Sequence, residues 1–78
     1  MISAEVSIYP LKTTQATNVI NEAINKLDGQ AVDYHVGSIS TYLEGEEEEV
    51  WSNLQKMFSS AGQSGEVSMV VTITNAAK

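Results

Sequence analysis

The chain opens on a strict two-residue alternation. Ile2, Ala4, Val6 and Ile8 fall on one side, and Ser3, Glu5, Ser7 and Tyr9 on the other, as in a strand with one buried face. Pro10 cannot donate to a ladder and predicts the strand's end. From Thr13 the period changes. Ala16, Val19, Ile20, Ala23, Ile24 and Leu27 recur at the spacing of an amphipathic helix, with Thr13 or Thr14 as its cap and Gly29 as its stop. Residues 31–45, "AVDYHVGSISTYLEG", read as a hairpin with a two-residue turn at Gly37-Ser38. That turn pairs Val36 with Ile39, Tyr34 with Thr41 and Val32 with Leu43 on one face. His35 then meets Ser40, and Asp33 meets Tyr42, on the other. A second helix is predicted over 46–61, with a stripe of Val50, Leu54, Met57, Phe58 and Ala61, Trp51 on the stripe's edge and Gly62 as its end. "QSGE" is a loop. "VSMVVTIT" is a last strand with Val67, Met69, Val71 and Ile73 facing in, and residues 75–78 read as a frayed tail.

The order strand, helix, strand, strand, helix, strand is the split βαβ arrangement of an α+β ferredoxin-like fold. Right-handed crossovers place both helices on one face of a four-stranded antiparallel sheet, with the first and third strands central. With 78 residues, the chain is expected to be a single domain, 1–78, whose core alone is marginal. The other sheet face is open. It carries Glu5, Ser7, Tyr9, His35, Ser40, Tyr42, Glu44, Val70 and Thr72, a mixture that predicts a homodimer or a dimer of dimers held by this face or by edge strands.

Composition removes several functions. All four cations are lysines, arginine is absent, and the net charge is −6. A nucleic-acid binder needs a basic face that releases counterions, and this chain has none. The absence of arginine also argues against a phosphate-handling enzyme on this fold. There is no cysteine, so thiolate catalysis, cysteine-based metal sites and paired-thiol metal carriage are excluded. His35 is the lone histidine and has no evident catalytic partners, which leaves transition-metal binding and nucleophilic catalysis without support. No phosphate-cradling loop or nucleophile elbow is present. No apolar stretch approaches a membrane span and "MISAEVSIYP" has no signal-peptide pattern, so a cytoplasmic protein is expected.

Among the polar residues, Glu46–Glu49 read as the acidic first turn of the second helix, where carboxylates complement the helix dipole. Glu44 is placed differently. It ends a central strand on the open face beside Glu5, and two such carboxylates can bind a cation or share a proton. Thr41 is the odd residue on the buried face. Its hydroxyl needs a partner, either nearby main chain or a small ligand held between sheet and helices. Trp51 is either core or the wall of a site.

The chain resembles the small thiamine-binding protein family over nearly its whole length. The resemblance is carried by "AEVSIYP" (4–10), "VGSISTYLEG" (36–45) with "EEV" after it (48–50), and "MVVTIT" (69–74). Its most specific piece is Thr41-x-x-Glu44-Gly45 between a strand and an acidic helix start; Ser38 stands where the family often has proline. The resemblance implies the ferredoxin-like fold, a homodimer or homotetramer, and non-catalytic binding of thiamine or its hydroxymethylpyrimidine part, with no cofactor and no metal. By motif position the ligand-binding residues it implies are Glu5, Ser7, Ser38, Ser40, Thr41, Glu44 and Trp51. Thiamine's cationic ring suits an acidic protein with aromatic side chains, and its aminopyrimidine is a planar donor–acceptor set that hydroxyls and a carboxylate can read. The missing arginine argues against the pyrophosphorylated coenzyme as preferred ligand. The alternative reading is a homo-oligomeric interaction or regulatory module with no small-molecule ligand. In the predicted register Thr41 and Ser40 point to opposite faces, so one subunit cannot gather the whole set into one pocket.

Overall fold

The structure, a computed structural model, describes residues 1–63 and 65–76. The elements are β1 (Ile2–Pro10), α1 (Ala16–Asn25), β2 (Val32–Val36), β3 (Thr41–Gly45), α2 (Glu47–Gly62) and β4 (Val67–Thr74). One antiparallel sheet runs in the order β2-β3-β1-β4, so β1 and β3 are central, and the fold is ferredoxin-like as the pattern predicts. The frayed tail read at 75–78 falls partly outside the described residues, which stop at Ala76; the predicted "QSGE" loop includes Ser64, also outside them.

The core forms where the sheet's apolar face meets the helices. Ile2, Ala4 and Val6 of β1 and Leu43 of β3 pack with Val19, Ala23 and Leu27 from the α1 region and with Val50, Leu54, Met57 and Ala61 of α2. The inward residues of β4 are only half-buried, because β4 lies at the sheet's edge. Val36 and Tyr34 are exposed at the opposite edge.

Three local expectations are corrected. Neither Thr13 nor Thr14 caps α1. The Gln15 N–H donates to Thr13 Oγ1 at 3.0 Å in a turn ahead of the helix, and Gln15 holds the cap position without a side-chain bond of that kind. Gly29, at φ 77°, closes a tail of i→i−3 turns after Asn25 instead of the α-helix itself. On α2, Phe58 is 47% exposed and not part of the buried stripe; Asn53 and Ser60 are buried instead. The buried face of α2 is Val50, Asn53, Leu54, Met57, Ser60 and Ala61, and the periodicity of Phe58 alone could not show this. Asn53 donates to the Glu49 carbonyl at 2.7 Å, while its buried Oδ1 has no partner among the described residues.

The hairpin register is also corrected. Val36 pairs with Thr41, Tyr34 with Leu43, Val32 with Gly45, His35 with Tyr42 and Asp33 with Glu44. Each β2 residue meets a partner two positions later than predicted. The slide is even, so every residue keeps its face. Gly37 donates to the Ser40 carbonyl at 2.9 Å, so the tight turn is centred on Ser38-Ile39, one residue beyond the Gly37-Ser38 turn expected. Ile39 leaves the strand for the loop and is 86% exposed.

Gly45 sits where β3 closes against the start of β2. A Cβ there would lie 3.2 Å from Val32 Cγ1 and 3.4 Å from the Ala31 carbonyl oxygen. Gly45→Ala should therefore lower the unfolding free energy by about 1–3 kcal/mol, read as a lower urea midpoint, because the crowding involves backbone as well as a side chain.

Candidate functional site

The register makes the site. β1 pairs with β3 only as far as Val6, opposite Thr41, yet it continues to Pro10 against β4. Beyond Val6, β1 has lost a neighbour. The hairpin loop turns away on one side of this gap and α1 passes over it. The result is a cavity of about 250 Å³.

Its floor is Val6, Ile8 and Thr41, its helical wall is Ile20, Asn21 and Ile24, and its rim is the loop from Val36 to Ser40. Ser7 also lines it, since both faces of β1 border the gap once the β3 neighbour ends. Thr41 is only 6% exposed, and among the described residues its hydroxyl forms no hydrogen bond; nor is it among the sealed, unpartnered atoms, so it opens onto the cavity. The lining carries the polar side chains of Ser7, Asn21, Ser38, Ser40 and Thr41 and no charged residue.

Four of the seven residues singled out from sequence therefore come together: Ser7, Ser38, Ser40 and Thr41. Three do not. Glu44 lies on the open face, where the Tyr42 hydroxyl donates to Ser3 Oγ at 2.9 Å and Ser3 donates to the Glu44 carboxylate at 3.3 Å. Glu5 lies on the same face opposite Tyr42, with Ser3 opposite Glu44, so the two carboxylates are diagonal neighbours. Among the described residues no group of three or more His, Asp or Glu side chains is placed to hold a metal.

Trp51 is 52% exposed and borders a separate cleft of about 360 Å³ with Glu47, Ile2, Ile73, Thr74 and Asn75. That cleft is at the Ile2 end of β1, four to six residues from the Val6–Ile8 floor. At about 3.3 Å per residue the two are roughly 13–20 Å apart along the strand. The acidic run is the start of α2: Glu46 is the extended cap and Glu47, Glu48 and Glu49 form the first turn.

Sequence reasoning missed Ile20, Asn21 and Ile24 as site residues. Ile20 and Ile24 belong to the amphipathic stripe, a pattern that by itself reads as core. Asn21 sits between them, and the signal available was a short amide one position from Ile20 and three from Ile24 on the same helix.

The match to a family model called thiamine-binding protein extends over residues 4–77. The chain belongs to the thiamine-binding protein family. Solved structures agree with the fold of this thiamine-binding family member. A Streptococcus pneumoniae protein is 29% identical with a TM-score of 0.90, over 97% of this chain and 87% of that one. A domain of unknown function from Bacillus cereus is 24% identical with a TM-score of 0.85, over 96% and 75%. A Thermotoga maritima protein, named provisionally for thiamine biosynthesis or salvage, is 22% identical with a TM-score of 0.83, over 96% and 83%. No curated protein matches the chain. Among the described residues no helix is long and apolar enough to cross a membrane.

Proposed function

We propose that the cavity between α1 and the β2–β3 hairpin binds the hydroxymethylpyrimidine part of thiamine, or that pyrimidine alone, without catalysing a reaction. The observation that carries this reading is the lining itself: uncharged hydroxyl and amide groups around an apolar floor, in a chain of the thiamine-binding family. A substituted aminopyrimidine is a flat ring whose edge both donates and accepts, and serine, threonine and asparagine side chains complement it. The volume of about 250 Å³ lies below the usual 300–1,000 Å³ of sites for drug-sized ligands, so it suits one ring. The cationic second ring of thiamine would then project from the mouth into the weak negative field of a chain with net charge −6. A pyrophosphate has no cationic group in the lining to meet. Binding would serve to buffer, sense or deliver the vitamin.

Glu5 and Glu44 face away from this cavity in the same chain, and Trp51 lines another, so they stand outside the proposed pocket. Calorimetric titration of thiamine, hydroxymethylpyrimidine and thiamine pyrophosphate, near physiological salt, tests the reading. Saturable binding of the first two, weaker for the third, is expected. Thr41→Val should weaken it about tenfold, the worth of one hydrogen bond near 1.4 kcal/mol, while leaving the unfolding midpoint within error. Trp51 emission locates the ligand. It stays unchanged for a ligand under the hairpin and is quenched for one stacked in the Trp51 cleft. An absence of heat from all three compounds would favour the ligand-free interaction module.

A further inference from the structure

Along a strand the main-chain N–H and C=O groups point to one side and then the other, residue by residue, and two contacts fix the phase in this sheet. Leu11 N–H donates to the Glu66 carbonyl at 2.9 Å, one step beyond the Pro10–Val67 pair. The odd-numbered residues of β1 therefore turn their main-chain groups toward β4, and the even-numbered ones toward β3. On the other side, Gly37 N–H donates to the Ser40 carbonyl, so Ser40, Tyr42 and Glu44 face β2 while Thr41, Leu43 and Gly45 face β1. The two phases agree, since Val6 stands opposite Thr41, Ala4 opposite Leu43 and Ile2 opposite Gly45. Two residues past Val6, Ile8 turns its N–H and C=O the same way. Its partner in register would be Ile39, which has left for the loop. No loop or side-chain group among the described residues meets either Ile8 group. The cavity under α1 begins at this spot, with Ile8 and Thr41 on its floor.

We infer that the main chain of Ile8 reads the ligand: its N–H donates to a ring nitrogen, and its C=O accepts from the exocyclic amine beside that nitrogen. This rests on the pocket proposed above and names the group that orients the ring within it. A main-chain donor and acceptor facing a cavity cost free energy while unmet, so they favour a polar-edged occupant over an apolar one. On an extended residue the two groups point the same way, side by side, as do the donor and acceptor on one edge of an aminopyrimidine. The ring lies in the place a strand would occupy, about 4.8 Å from β1, and completes the rung that Ile39 abandons. Fixed polarity separates this fork from the side chains of the lining. The hydroxyls of Ser7, Ser38, Ser40 and Thr41 rotate, and Asn21 can turn its amide, so each serves as donor or acceptor. The Ile8 pair cannot reverse. It selects a planar heteroaromatic ring with a donor adjacent to an acceptor on one edge, and it rejects a ring whose edge offers an acceptor alone.

Amide hydrogen exchange followed by nitrogen-15 NMR tests it, on the free protein and on protein saturated with hydroxymethylpyrimidine. In the free protein the Ile8 amide should exchange about a hundredfold faster than those of Val6 and Ser7, which face Thr41 and Val70. Saturation should slow the Ile8 amide about tenfold or more and move its resonance downfield. Ile8→Pro removes the donor where β1 has no neighbour on that side, so no ladder bond is lost. Affinity should fall about tenfold or more in calorimetry. Ile8→Val keeps the N–H and should cost about fourfold or less, the worth of one methylene. The pyrimidine lacking the exocyclic amine should bind about tenfold more weakly than the parent compound. An Ile8 amide as slow as that of Ser7 in the free protein overturns the proposal, as does equal affinity for the compound without the amine. Saturable heat with the Ile8 exchange rate and resonance unchanged also overturns it, and leaves the pocket itself standing. An absence of heat removes the pocket reading and this inference together. If Ile8→Pro fails to fold, as judged by circular dichroism, the wild-type exchange rates decide.

Discussion

Replacing Leu43 by alanine is expected to remove about 2–5 kcal/mol of unfolding free energy. Leu43 is fully buried at the centre of the sheet, between Ala4 of β1 and Tyr34 of β2, and it faces the helices. One neighbour, Ala4, is too small to fill the void, and Tyr34 is partly out in solvent. The cavity therefore persists, and its lining loses dispersion contacts as well as the transfer energy of the missing methyl groups. A chain of 78 residues has a total stability of roughly 4–12 kcal/mol at 0.05–0.15 kcal/mol per residue. The loss is thus a large fraction of the whole. Urea unfolding followed by circular dichroism should show a midpoint far below wild type with an unchanged slope. A shift of less than about 1 kcal/mol would mean that the sheet and helices can close over the gap, contrary to close packing around β3.

The second large effect is expected from Gly37→Val, and it should appear in both stability and binding. A Cβ at Gly37 would stand 3.0 Å from the Ser40 carbonyl oxygen, the atom that accepts the Gly37 N–H at 2.9 Å. The added Cβ meets a backbone oxygen there, so no rotamer change relieves the contact, and the Ser40 carbonyl must move off the Gly37 N–H by a few tenths of an ångström. The lost hydrogen bond and the strain together should remove about 2–3 kcal/mol. The same loop forms the rim of the proposed pocket. Calorimetry should then show thiamine affinity falling at least tenfold, beyond what Thr41→Val produces, because several rim groups move at once. Unchanged affinity alongside the expected loss of stability would place the ligand elsewhere. Unchanged stability would show that the loop accommodates a side chain and is not held by the Gly37–Ser40 contact.

Much of the fold was legible in the chain because the evidence for it is local. The alternation of Ile2 to Tyr9 and the three-four spacing from Ala16 to Leu27 are properties of neighbours, as is the acidic start at Glu46–Glu49. Side-chain period and dipole complementarity do not depend on distant parts. Element order then limits the topology, and β1 and β3 are central as expected. Face assignment also held in the hairpin, even though the register moved, since a slide of two residues preserves the pleat.

Tertiary structure alone decided where the strands stop. Ile39 alternates with Ser38 and Ser40 and reads as strand, yet it is in the turn, and β3 begins only at Thr41. That choice depends on the fit of β3 to β1, which pairs Val6 with Thr41, and on Gly37 closing onto Ser40. The β1–β3 pairing energy comes from residues 35 or more positions apart and leaves no local trace. Because β3 starts late, β1 has an unaccompanied stretch, and Ser7, Ser38, Ser40 and Thr41 meet around a cavity that α1 covers. By itself the sequence determined the βαββαβ order, the faces of the strands and a surface without arginine. The three-dimensional arrangement determined which hydroxyls converge, that Glu44 and Trp51 point elsewhere, and that Phe58 and the uncharged edge of β4 remain open, because each of these depends on where separate elements end against one another.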